Sequence, residues 1–197
     1  MDHLESRFLN IAYLSSGSVR QIEAYLALKA LRIFERLEPY YPILVGTIPI
    51  GVDVAGSDLD IICEVMDMDR FEDIVTQLYR ANENFNVRRR IAAGIERILV
   101  EFNYEGWPIE LFGQAVRTMQ QNGFKHMVIE HRILEALNEE GKARIRGLKE
   151  SGLKTEPAFG SYLGIQGDPY QSLLQMYDWD DDKLLSFLHT DSKHSRV

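Results

Sequence analysis

One run of the chain, from Ile43 to Val65, restricts the fold more than any other. An apolar triplet, Ile43-Leu44-Val45, ends in Gly46-Thr47, and after a Gly-containing loop a second apolar run opens with Ser57-Asp58-Leu59-Asp60-Ile61-Ile62. Side chains along a strand alternate between faces, so Asp58 and Asp60 emerge together while Leu59 and Ile61 turn into a core. Two carboxylates about 7 Å apart at the mouth of a buried strand repel each other unless a cation lies between them. The run therefore predicts a sheet with one apolar face and one acid-bearing face suited to a hard divalent metal.

The rest of the composition permits this. With 197 residues, 45% of them hydrophobic and 26% charged, the chain has enough apolar surface for a real core in one domain or two small halves. Thirty acidic residues against 22 basic ones give a formal charge of −8, which opposes a non-specific hold on a polyanion. Long nucleic acid is thus not the expected partner. The single cysteine, Cys63, falls within an apolar strand and reads as a buried thiol. No segment approaches the roughly 18 apolar residues of a membrane span, and the first residues lack a basic patch followed by an apolar stretch. The expectation is a cytoplasmic protein with no membrane partner.

Along the chain the pattern is a helical start, a mixed middle and a helical end. Ser18-Val19-Arg20-Gln21 has capping-box spacing, and Val19, Ile22, Leu26, Ala30 and Ile33 recur at helical intervals, which predicts one helix of about five turns ending before Pro39. Strands are expected at 43–47 and 58–65. Asp69 with Glu72 offers a second capping box, ahead of a face formed by Phe71, Ile74, Val75 and Leu78. Val87–Ile91 reads as a strand turning at Ala92-Ala93-Gly94, and Arg97–Tyr104 with Trp107–Phe112 flank Glu105-Gly106 as a hairpin. Beyond residue 114 the expectation is helical. Phe124–Leu137 forms one helix, Gly141 interrupts before another, and Thr155-Glu156-Pro157 and Asp168-Pro169-Tyr170 start two more. Trp179 with Asp180-Asp181-Asp182 reads as a further helix start with acids at its N-terminus. The expected organisation is a core over 1–113 with N-terminal helices, a helical portion over 114–188 and a disordered tail over 189–197.

Gly46-Thr47 followed by Ser57-Asp58-Leu59-Asp60-Ile61 resembles the signature of the polymerase-β-like nucleotidyltransferases, especially their minimal members. Two further stretches, Gln121–Met127 and Lys154–Pro157 with Gly167–Tyr170, resemble a bacterial family of unknown function within that superfamily. The resemblance implies an α/β (α+β) fold, with a small mixed sheet flanked by helices and a helical C-terminal portion. It also implies transfer of a nucleoside monophosphate from an NTP, with release of pyrophosphate and Mg²⁺ as cofactor, as two ions. Asp58 and Asp60 would hold the metal. Gly46 and Thr47 would receive the phosphates, and Ser57 would shape the turn before the metal strand.

A third carboxylate completes such a site, and two residues qualify: Glu110 between Ile109 and Leu111, and Glu101 between Val100 and Phe102. Glu110 matches the superfamily's later strand and is the preferred ligand and base; Glu101 is then expected to point elsewhere. The loop Ile48-Pro49-Ile50-Gly51 lacks the arginine that many minimal members carry after the glycine. Lys125 and Lys154 are the candidates to contact phosphate, with Arg88-Arg89-Arg90 as another source of charge, although an exposed lysine and a solvated edge strand are the ordinary readings of these residues. His126, Glu130 and His131 invite a zinc reading. Histidines five residues apart on a helix lie about 140° apart in projection, however, and do not share one metal as an i, i+4 pair does. The charge balance favours a small-molecule or protein acceptor. A non-catalytic NTP sensor and an antitoxin-like interaction protein are the alternatives on the same fold.

Overall fold

The computed structural model describes residues 3–191. Its elements follow in the order α1 (His3–Arg7), α2 (Val19–Leu31), α3 (Ile33–Arg36), β1 (Ile43–Val45), β2 (Leu59–Glu64), α4 (Met68–Tyr79), β3 (Glu83–Ala92), β4 (Ile95–Tyr104) and β5 (Trp107–Gln114). Five helices come next: α5 (Asn122–Ala136), α6 (Glu139–Glu150), α7 (Thr155–Tyr162), α8 (Pro169–Tyr177) and α9 (Asp181–Asp191). The strands form one mixed sheet in the order β1-β2-β5-β4-β3, in which β2 and β5 run parallel and every other pair is antiparallel. This is the expected α+β class. No helix among the described residues is long and apolar enough to cross a membrane.

The chain divides into two compact units. One comprises residues up to Gly51 together with Gly56–Phe124, and the other Val52–Ala55 together with the chain from Lys125 onward. In the first unit the alternation along the strands separates two faces. Leu59, Ile61 and Cys63 of β2, Ile109 and Leu111 of β5, and Ile98, Val100 and Phe102 of β4 turn to one side, where they join Phe71 and Val75 of α4 and Leu28 of α2 in a single apolar core. Burial in that core pushes the Cys63 thiol up, well away from ionisation, as expected of an inert cysteine.

Both β-hairpin turns form where the sequence indicates. Ala93 and Gly94 join β3 to β4, and Glu105 and Gly106 join β4 to β5, each pair with positive φ at both residues, the backbone that matches the twist of the strands. Gly113 has a different reason to be glycine. A Cβ there would lie 2.7 Å from both Ile98 Cγ2 and Val65 Cγ2, so the core closes onto the bare backbone of β5.

The Ser18 capping box is formed, with the Ser18 hydroxyl accepting from the Gln21 amide and the Gln21 side chain accepting from Ser18 N. The face of α2 is not the expected one. Ala24, Ala27, Leu28 and Leu31 are buried, whereas Val19 and Leu26 are 74% and 61% exposed. Helix α2 also stops earlier, because Arg32 adopts a left-handed conformation (φ 54°) and splits the expected single helix into α2 and α3. Helix α4 starts two residues sooner than anticipated, with the Asp67 carboxylate accepting from Arg70 N. Asp69 and Glu72 instead receive the Arg89 guanidinium of β3.

In the second unit Asn138 caps α6, and Gly141 lies inside that helix rather than before it. A Cβ on Gly141 would lie 2.6 Å from the Tyr162 hydroxyl, so this glycine allows α6 and α7 to approach. Asp168 caps α8 with proline next to it, as expected, and Asp180 accepts from Lys183 N at the start of α9. Arg132 of α5 donates to the carbonyls of Tyr177 and Trp179 and to Asp181, tying the α8–α9 junction to α5. Of the expected tail, residues 189–191 belong to α9 and residues 192–197 lie outside the described residues.

The packing at Gly113 makes a testable statement. Gly113→Ala is expected to destabilise the fold by about 1–3 kcal/mol through overpacking, and pairing it with Val65→Ala should recover part of the loss. Urea unfolding of the two single variants and the double variant checks this; strict additivity would show that the two positions do not compete for the same space.

Candidate active site

The acid face of the sheet is built by strand register. Asp60 of β2 pairs in register with Glu110 of β5, and Glu110 pairs in turn with Glu101 of β4. In-register neighbours point to the same side, so three carboxylates stand in a row across three adjacent strands, opposite the apolar core. Asp58 lies just before β2 and is exposed, close enough for its charge to act on Glu110. Asp58, Asp60 and Glu110 thus share one end of one face.

The expectation for Glu101 is corrected here. It does not point elsewhere but belongs to the same row, one strand further out. What distinguishes it is its partner: Arg88 of the edge strand β3 holds the Glu101 carboxylate at 2.6 Å, and Asn86 approaches it at 3.4 Å. Glu101 is therefore paired with a cation from the protein. The Glu110 carboxyl is pushed above its ordinary range, first by burial and then by the negative charges of Asp58 and Glu101, with Arg88 and Arg90 opposing. Of the triple arginine, Arg88 and Arg90 face the acid side through their pairing with Leu99 and Arg97, whereas Arg89 turns to α4.

Gly46 ends β1 directly against this row. Its φ is +83°, and a Cβ on it would lie 2.7 Å from Asp60 Oδ2. Two constraints, backbone hand and contact with a carboxylate, both require glycine. Thr47 and Ser57 meet across the loop, with 3.4 Å between their hydroxyl oxygens. The loop is pinned from below by Gln21, whose Nε2 donates to the carbonyl of Ile48 at 2.8 Å while its Oε1 caps α2. Nothing in the sequence pattern of the loop itself reveals this second use of the capping residue.

The two predicted lysines belong to the second unit. Lys125 lies on α5 with its ammonium 5.7 Å from the Tyr177 ring centroid, and Lys154 is the exposed residue preceding α7, where it makes no side-chain cap. A groove of about 1090 Å³ in the first unit is lined by Tyr25, Phe34, Tyr41, Ile43, Glu64 and Arg117 among others, and not by the acids or by Gly46 and Thr47. The acid-bearing end of the sheet and this groove are therefore different places.

All the donors on the acid face are oxygens, which suits a hard cation such as Mg²⁺. The half-buried Glu110 beside two further negative charges is the observation that fits this best, since a divalent ion would relieve the repulsion that raises its pKa.

The chain carries a five-stranded mixed sheet together with helices, an α+β fold. Solved structures share it. The Cid1 poly(U) polymerase bound to MgGTP is 17% identical, with a TM-score of 0.50 over 75% of this chain and 49% of that one. Cid1 with the UTP analogue UMPNPP is 15% identical, with a TM-score of 0.51 over 82% of this chain and 54% of that one. The chain thus spans about half the length of these polymerases. Residues 26–176 match the family described as Domain of unknown function (DUF4269), and the chain belongs to that family. No curated protein matches it.

The electrostatics of Glu110 predict a stability effect whose sign depends on pH. A carboxyl with a folded-state pKa above its unfolded value adds stability when protonated, at low pH, and loses that contribution as pH rises through the raised value. Glu110→Gln should therefore raise the melting temperature of metal-free protein near neutrality. The gain should vanish toward about pH 4, where the native glutamate is itself protonated. Thermal melts of both proteins across this range test it, and a glutamine variant that is less stable at neutral pH would contradict a charge-strained site.

Proposed function

We propose that this protein is an Mg²⁺-dependent nucleotidyltransferase that moves a nucleoside monophosphate from an NTP to a hydroxyl or phosphate of a small molecule or protein. The observation that carries the reading is the in-register alignment of Asp60 with Glu110, with Gly46 set against the Asp60 carboxylate. Asp58, Asp60 and Glu110 would hold the metal, as two ions. When bound, Mg²⁺ supplies charge neutralisation for the in-line displacement and activates the attacking oxygen.

The chain's own residues do the rest. Gly46 leaves room for the phosphate tail to approach the backbone, and the Thr47 hydroxyl donates a hydrogen bond to it. Ser57 fixes the turn that delivers Asp58. Glu110 accepts the proton of the attacking hydroxyl, a task for which a carboxylate with a raised pKa is better matched than an ordinary one. The acceptor oxygen bonds to the α-phosphorus, the bond to the bridging oxygen breaks, and pyrophosphate leaves. Lys125 and Lys154 are assigned to phosphate contact as part of this proposal.

The acceptor is argued from charge. The formal −8 opposes a long polyanion, so RNA is not the acceptor on this reading even though Cid1 is a poly(U) polymerase. On the same reading the protein works in the cytoplasm. One observation favours a second reading, an NTP sensor without turnover: the loop Ile48-Pro49-Ile50-Gly51 offers no cation to the triphosphate.

The deciding experiment incubates the protein with each labelled NTP, Mg²⁺ and a metabolite extract, and measures label transfer and pyrophosphate. Wild type should release pyrophosphate, Asp58→Asn and Asp60→Asn should not, and Glu110→Gln should be slower by about 10²–10⁴-fold while still binding NTP. NTP binding without pyrophosphate from any nucleotide would favour the sensor. In a separate measurement, random-sequence RNA should bind weakly and be released by modest salt; a complex that survives moderate salt would overturn the choice of acceptor.

A further inference from the structure

The second unit holds a different set of ligands. His126 and Glu130 occupy i and i+4 on α5, and Glu156 projects from the first turn of α7. Their ligand atoms, an imidazole nitrogen and two carboxylate oxygens, all lie within 4.8 Å of one another. His126 Nδ1 is 3.9 Å from Glu156 Oε1. His131, the other histidine of the helix, is not part of the group. The spacing that excludes a two-histidine site thus leaves open one made of a histidine, the glutamate one turn on and a third ligand from another helix.

The burial is what makes this set informative. Glu130 is 2% exposed and its Oε1 makes no hydrogen bond; His126 Nδ1 is likewise buried without one. Buried polar atoms without hydrogen bonds are costly unless something joins them. Lys149 contributes positive charge to Glu130, and its ammonium donates to the Thr155 hydroxyl at 2.7 Å. Glu156 acts on the buried Glu130 as a second negative charge, opposed by Lys149.

We propose that His126, Glu130 and Glu156 form a binding site for one divalent transition-metal ion of the zinc class, separate from the acid face of the sheet. A mixed imidazole and carboxylate set favours Zn²⁺ over Mg²⁺, which prefers oxygen ligands in an octahedron. Ligands about 2.0–2.2 Å from a tetrahedral zinc are about 3.3–3.6 Å apart, so the present spacing closes by small side-chain rotations. Three protein ligands leave the fourth position to water or to a ligand group. Glu156, with its side chain 22% exposed, is the member through which the ion enters.

The test uses the full-length protein, stripped with a chelator and titrated with Zn²⁺ in excess Mg²⁺, so that Mg²⁺ occupies the sheet acids. One Zn²⁺ per chain is expected, with a rise in melting temperature on the order of 5–10 °C at 100-fold excess over the dissociation constant. Glu130→Gln should weaken Zn²⁺ binding at least about 10-fold, and Asp58→Asn should leave it unchanged. Co²⁺ in place of zinc should give visible d–d bands of a tetrahedral ion, lost in Glu130→Gln. Should Glu130→Gln not fold, as judged by circular dichroism, the more exposed Glu156→Gln serves the same comparison. Absence of saturable Zn²⁺ binding overturns the proposal, as does binding abolished by Asp58→Asn but retained by both glutamine variants.

Discussion

Like charge placed in register is the constraint around which the first unit is organised. Asp60, Glu110 and Glu101 stand side by side on β2, β5 and β4 because the two outer strands take opposite directions relative to β5 yet both align an acid with Glu110. A sheet tolerates such a row only if its other face is held firmly and its charges are answered. The apolar core beneath does the first. Arg88 pairs with one carboxylate, and the charges of Asp58 and Glu101 act on the half-buried Glu110. The arginines of the edge strand also keep that strand from offering an open, uncharged edge to a second sheet.

The legibility of this fold follows the range of the interaction. Hairpin turns at Ala93-Gly94 and Glu105-Gly106, the Ser18 box and the Asp168-Pro169 start are set within a few residues, and each was readable locally. The acid-bearing strand β2 was readable because alternation alone places Asp60 opposite Leu59. The buried face of α2 was not, since Val19, Ile22 and Leu26 form an apolar series as regular as Ala24, Ala27, Leu28 and Leu31. Periodicity identifies an amphipathic helix but ranks two apolar stripes poorly when one is made of alanines. Those small residues were the usable signal, because close packing selects them. The left-handed Arg32 carried no glycine or proline to announce it.

At the candidate site the sequence was informative about residue type and weak about neighbours. Gly46, Thr47, Asp58, Asp60 and Glu110 are brought together in one unit, while the position of Glu101 in the same row depends on a strand pairing that local pattern does not encode. Its distinction from Glu110 comes from Arg88, thirteen residues away in sequence. The trio in the second unit was missed for a similar reason. Glu156 reaches His126 and Glu130 only after the chain has passed through α6, and a search confined to one helix compares His126 with His131 and stops there.

Gln21 gives the architecture a further property. One amide group closes the first turn of α2 and, through its other end, holds the carbonyl of Ile48. Gly17 stands so close to it that a Cβ would lie 2.0 Å from Gln21 Oε1. Residues 17, 21 and 48–51 are consequently an epistatic group: a change in one alters which changes the others accept. A change in the loop at residues 48–51 is therefore coupled to a glycine some thirty residues upstream, in a stretch that no loop-focused library would vary.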